Sequence, residues 1–199
     1  MAILTTKDIP VVGGGGAISC LHVAPEPCFD KQLKKLLGNT YITADLYNPD
    51  AMVKMDIMDI DYPDESFDAI ICNHVLEHVA DDQQAMREFH RVLKPGGYAI
   101  LMVPVADIDR TYEDFTITSA EGRSKAFGQC DHVRKYGKDY ADRLRSSGFA
   151  VHAFEADDLA GDSDISRMKL LVNSRHWAND TVFYCTKHAD TGKTGRESL

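Results

Sequence analysis

Short apolar runs alternate with amphipathic segments through most of this chain, and that alternation narrows the choice of fold more than any other feature. Ser19–Ala24, Tyr41–Leu46, Val53–Ile57, Phe67–Cys72, Tyr98–Val103, Phe149–Phe154 and Val182–Thr186 read as strands. Between them, Phe29–Leu37 carries Phe29, Leu33, Leu36 and Leu37 on one helical face, with Gly38 placed to cap it. Asp82–Leu93 carries Met86, Phe89 and Leu93 on its inner face and stops at Lys94-Pro-Gly-Gly97. Lys138–Ser147 turns Tyr140, Ala141 and Leu144 inward ahead of Gly148. Strands separated by helices build βαβ units, so the expected architecture is α/β, with a mostly parallel sheet covered on both faces. Such sheets bind ligands beyond the carboxyl ends of their strands. The residues at those ends are Pro25, Glu26, Asp45, Asp56, Asn73, His74 and the segment after Val103.

At 199 residues, 44% hydrophobic and 27% charged, the chain is long enough for one domain with a full core and no disulfide or metal staple. Its net charge of -9 repels phosphate, which argues against nucleic acid and against anionic membrane surfaces as partners. Cys20, Cys28, Cys72, Cys130 and Cys185 are odd in number and far apart, the pattern of unpaired thiols in a reducing compartment. Lys7 and Asp8 interrupt the first apolar run too early for a signal peptide, and no apolar stretch spans a bilayer. A cytoplasmic protein is expected.

Asp45 closes the second strand, about twenty residues beyond the first, where a carboxylate accepts hydrogen bonds from both hydroxyls of an adenosine ribose. The bland reading is an Asp that starts the following turn. Asp56 and Ile57, at the end of the third strand, offer a carboxylate for an adenine amino group and an apolar side chain for its ring, although Asp59 and Asp61 compete for the role. The run Gly13 to Gly16 looks like a dinucleotide phosphate loop, but no helix opens after it and Leu33 stands near the position of the expected acid. It reads as a flexible linker in an irregular segment over residues 1–18. Gly192-Lys-Thr194 lacks a P-loop's first glycine, because Lys187 holds that position. His74-Val-Leu-Glu-His78 has the H-x-x-E-H spacing of a zinc hydrolase through His74, Glu77 and His78. Its strand–loop–helix context argues against that, and no metal is expected.

Two longer runs carry a resemblance. Asp64-Glu-Ser-Phe-Asp-Ala-Ile-Ile-Cys-Asn-His-Val-Leu-Glu-His-Val79 and Met86-Arg-Glu-Phe-His-Arg-Val-Leu-Lys-Pro-Gly-Gly97 resemble the class I S-adenosylmethionine-dependent methyltransferases of the small-molecule type. Arg143-Leu-Arg-Ser-Ser-Gly-Phe149 is similar to their penultimate helix and strand. The resemblance covers residues 19–187 and leaves 188–199 as a disordered tail. It implies a Rossmann-like three-layer sandwich whose seven-stranded sheet is mostly parallel with the last strand antiparallel. It also implies S-adenosylmethionine as cofactor. Asp45 and Leu46 match the ribose position, Asp56 and Ile57 the adenine side, and Asn73 and His74 the loop where cofactor and substrate meet. The family's acidic residue and glycine-rich loop after the first strand are replaced here by Leu21-His-Val-Ala-Pro-Glu-Pro27. Ala24, Pro25 and Glu26 then hold the methionine end, with Glu26 opposite the ammonium group.

Methyl transfer from a sulfonium needs an aligned acceptor and, for a hydroxyl or a protonated amine, a base. The segment from Pro104 to Gly137 shows no period and mixes aromatic with charged residues, which suits a lid over a polar acceptor. Within it His132 is the first candidate base and His74 the second. The expected acceptor is a small molecule, and with little N-terminal chain to cap the pocket, a homodimer is one way to complete it. The competing reading keeps the fold without catalysis, as a cofactor-binding or regulatory subunit, and rests on the altered loop.

Overall fold

The structure, a computed structural model, describes residues 18–154 and 181–189. The expectations for the glycine run and for most of the C-terminal tail fall outside those residues. Strands β1 (Cys20–Val23), β2 (Tyr41–Asp45), β3 (Val53–Lys54), β4 (Phe67–Asn73), β5 (Leu93–Met102), β8 (Ala150–Phe154) and β9 (Val182–Thr186) form one seven-stranded sheet in the order β3-β2-β1-β4-β5-β9-β8. From β3 to β5 every pairing is parallel, whereas β9 runs antiparallel to both β5 and β8. The expected α/β fold with its antiparallel last strand is therefore present.

The strands alternate their side chains between two faces, as a pleated strand must. Cys20, Tyr41, Ala69, Ile71 and Tyr98 pack on one face against Leu33, Phe29 and Leu37 of α1 (Pro27–Leu37). Leu21, Val23, Ala44, Ile70, Cys72, Ala99, Leu101, Phe183 and Cys185 face the other way. They meet Ala85, Met86, Phe89 and Val92 of α2 (Asp82–Val92) and Tyr140 and Leu144 of α4 (Tyr140–Ser146). The result is the expected three layers. All five cysteines are unpaired; Cys20, Cys72 and Cys185 are buried in these cores.

Several boundaries differ from the sequence reading. The helix after β1 begins at Pro27, not Phe29: proline suits the first helical position, where its missing N–H has no partner to lose. The third strand is Val53–Lys54 rather than Val53–Ile57, because Asp56 Oδ1 accepts the Met58 amide and turns the chain. The second long helix ends at Val92, and Leu93 already pairs with Phe67. Lys94-Pro-Gly-Gly97 is thus an irregularity inside β5, not a turn ahead of it. The last helix is Tyr140–Ser146 rather than Lys138–Ser147.

The segment 104–137 is more ordered than its sequence suggests. It contains the two-residue strands β6 (Tyr112–Glu113) and β7 (Arg134–Lys135), paired antiparallel, and α3 (Ala120–Phe127). Arg134, fully buried, fastens it down. Its guanidinium donates to the carbonyls of Leu76, Val79 and Ala80 and to Glu113 Oε1. Asp82 at the start of α2 accepts from Tyr136 and Arg143, and Arg143 also reaches Glu113. This network clamps the segment onto the loop after β4. Among the described residues no helix is long and apolar enough to cross a membrane.

Candidate functional site

The carboxyl ends of β1 and β4 lie side by side, with Val23 opposite Cys72. His22 is fully buried on the α1 face of β1. Its Nε2 donates to Glu26 Oε2 at 2.8 Å, and Tyr41, on the neighbouring strand, places its hydroxyl 2.7 Å from Nδ1. Glu26 Oε1 accepts the Asn73 side-chain amide at 3.0 Å. A hydrogen-bonded line thus runs Tyr41–His22–Glu26–Asn73 across three strands, and within it the Glu26 carboxylate remains 33% exposed. Burial alone raises the Glu26 pKa. The hydrogen bonds it accepts from His22, Asn73 and its own backbone amide outweigh that and hold it below the usual glutamate value. An ionised carboxylate is therefore fixed where the chain leaves β1.

Two non-glycine residues adopt left-handed backbone at this same edge: Ala24, with φ 46°, and His74, with φ 55°. Such conformations cost about 1–3 kcal/mol and cluster where function over-determines the backbone. They let β1 and β4 turn away sharply, each held by a backbone bond, Ala24 N to Ala44 O at 2.8 Å and His74 N to Met102 O at 2.8 Å. Between the strand ends and α1 lies a cavity of about 180 Å³. Its walls are Phe29, Leu33, Ile71, Ile100, Met102 and Val182, with Glu26, Asn73 and His74 as its polar groups.

Glu26, Asn73 and His74 are thus the expected site residues that the structure brings together. Ala24 and Pro25 form the turn leading to Glu26 but do not line the cavity. Asp45 and Leu46 lie at the end of β2, beside Ala24. Asp45 Oδ1 accepts the amides of Tyr47 at 2.7 Å and Asn48 at 2.8 Å, so the carboxylate does start its turn. Asp56 caps Met58, and Ile57 is buried in the main core rather than presented to solvent. His22 and Tyr41 were not foreseen as a pair, since nothing local in the sequence links residues on adjacent parallel strands.

His74-Val-Leu-Glu-His78 forms turns, not a helix, so His74 and His78 do not share a helical face as the zinc-hydrolase spacing requires. His132 does not line the cavity. It is 1% exposed, and its ring packs edge-on against His78 at 4.7 Å. Burial, and then the neighbouring His78, push its pKa down.

Residues 18–101 match the family model described as a methyltransferase domain. The demethylmenaquinone methyltransferase of Listeria monocytogenes serotype 4a is 36% identical over 69 residues, which is 35% of this chain and 29% of that protein. The matched part is therefore well under half of that relative's length. An S-adenosylmethionine-dependent methyltransferase from Mesorhizobium loti superposes with a TM-score of 0.55 at 18% identity, over 85% of this chain and 91% of that one. This is a class I methyltransferase fold. A Burkholderia thailandensis 1,6-didemethyltoxoflavin-N1-methyltransferase, solved with 1,6-didemethyltoxoflavin and S-adenosylhomocysteine, matches over 85% of this chain and 70% of that one, with a TM-score of 0.55 and 15% identity.

Proposed function

We propose that the chain binds S-adenosylmethionine across the carboxyl ends of β1, β2 and β4 and transfers its methyl group to a small-molecule acceptor. The observation that carries this reading is the Glu26 carboxylate, ionised and fixed by His22 and Asn73 at the end of β1. An ammonium group there gains a charge-assisted hydrogen bond, which contributes about 1.5–3 kcal/mol. S-adenosylmethionine has no pyrophosphate, so a loop without bare glycine amides still suffices. The turn after β2 engages Oδ1 of Asp45 and leaves Oδ2 out of its hydrogen bonds, which supports Asp45 as the ribose ligand, with Asp56 assigned to the adenine side. Exposed Tyr47 and Met52 are near enough in sequence to cover the purine. Ile57, being buried, supports this wall from behind rather than touching the ring.

The acceptor then occupies the apolar cavity between α1, β4 and β5, with Asn73 and His74 bordering the transfer point. His74 stands on the cavity wall and 57% of its side chain is exposed, which favours it over buried His132 as the residue that meets the acceptor. The protein's task is alignment and exclusion of water, since a sulfonium methyl is already activated. The test is release of S-adenosylhomocysteine from S-adenosylmethionine across a panel of small hydroxyl and amine acceptors. Acceptor-dependent release is expected. Cofactor binding with no release on any acceptor would favour the non-catalytic subunit instead.

A further inference from the structure

Three side chains that methyl transfer as described does not use converge beside the cavity. Glu77, His78 and His132 each bring one ligand atom to a cluster whose members all lie within 4.8 Å of one another. Glu77 is 2% exposed and His132 is 1% exposed, yet among the described residues Glu77 Oε2 and His132 Nε2 have no hydrogen-bond partner. A carboxylate oxygen and an imidazole nitrogen buried without partners each cost free energy that a fold ordinarily avoids. One cation between them satisfies both.

The surroundings are those of a built site. The Phe127 backbone hydrogen-bonds the His132 ring, and Nε2 is the ring nitrogen left without a partner among the described residues. Asp131 Oδ2 lies 3.3 Å from His78 Nδ1, and His74 Nδ1 lies 3.6 Å from Glu77 Oε1. Ligand histidines are characteristically oriented by backbone carbonyls and carboxylates in this way. The Val133 amide donates to the Glu77 carbonyl at 2.9 Å and ties the segment carrying His132 to the loop after β4.

We propose that Glu77, His78 and His132 bind one divalent transition-metal ion behind His74, outside the lining of the cavity. Two imidazoles and one carboxylate without a thiolate favour zinc, iron, cobalt or manganese over magnesium or calcium, and three protein ligands leave coordination positions open. The role of the ion rests on the methyl-transfer reading: it takes an oxygen of a hydroxyl-bearing acceptor. The hydroxyl releases its proton to solvent, and the oxygen lone pair attacks the methyl carbon. The carbon–sulfur bond breaks with its electrons returning to sulfur, giving a methyl ether and S-adenosylhomocysteine.

The test is titration of the chelator-stripped full chain with Co²⁺, followed by visible absorption. One ion per chain is expected, with a ligand-field spectrum of nitrogen and oxygen donors, abolished by Glu77→Gln and by His132→Gln. Asp131→Asn, an exposed change that spares the fold, is expected to weaken affinity about 10–100-fold. Absence of stoichiometric binding, or affinity unchanged in Asp131→Asn, overturns the site. So does an intense thiolate band, which would assign the ion to exposed Cys28 or Cys130. A parallel titration with S-adenosylhomocysteine separates the two readings. Metal without cofactor binding sinks the methyl-transfer role and keeps the site, whereas cofactor without metal binding does the reverse.

Discussion

Glu26 concentrates at one residue what distinguishes this site. Its carboxylate is held by His22, whose ring is fixed in turn by Tyr41, and by Asn73 from the next strand. Its folded pKa lies below the usual value of 4.5. A carboxyl with a depressed folded pKa contributes stability that is present above its unfolded pKa and is lost as pH falls through the folded one. Wild-type protein should therefore lose more thermal stability than Glu26→Gln as the pH is lowered from about 5 to about 3, and the gap between them should close toward the acid end. Thermal melts at stepped pH check this; parallel curves would mean that the carboxylate is not held as described. That Glu26, Asn73 and His74 come together was legible because each was read just beyond the carboxyl end of a strand. The partnership of His22 with Glu26 was not, since His22 reads as a mere gap in a motif until the sheet sets Tyr41 beside it.

Among the elements, the amphipathic helices were the easiest to read, because α2 repeats Ala85, Met86, Phe89 and Val92 toward one core. The segment 104–137 was the hardest. Its order comes from pairings that span fifty or more residues, such as Arg134 with the carbonyls of Leu76, Val79 and Ala80. Distant pairings leave no local period, so the segment looked like a lid. The structure makes it a clamp. Arg134→Met removes a buried cation and leaves those carbonyls unpaired, and should cost about 3–5 kcal/mol in urea unfolding, the range for breaking a buried ion pair. A cost under about 1 kcal/mol would return the segment to the status of a loosely attached loop. The short third strand was misread for a related reason. Asp56 in the run Met55-Asp-Ile-Met-Asp59 looks like part of a strand, but its side chain caps Met58 and ends the pairing.

For the whole molecule, the seven strands and the antiparallel β9 followed from the resemblance, and the parallel core from the alternation of apolar and amphipathic segments alone, whereas the strand order is seen only in the structure. That architecture opens a crevice where β1 and β4 part, and the cavity against α1 lies there. In the proposed function, a histidine-supported glutamate takes over from a glycine-rich loop as the anchor for the cofactor's methionine end. The most direct test is calorimetric titration of wild-type protein and Glu26→Gln with S-adenosylmethionine and S-adenosylhomocysteine. Binding of both ligands to wild type is expected, with affinity reduced about tenfold or more in the variant, since one charge-assisted bond contributes about 1.5–3 kcal/mol. Wild-type binding unchanged in Glu26→Gln would contradict the anchor, and no binding of either ligand would leave the methyltransferase fold without its cofactor.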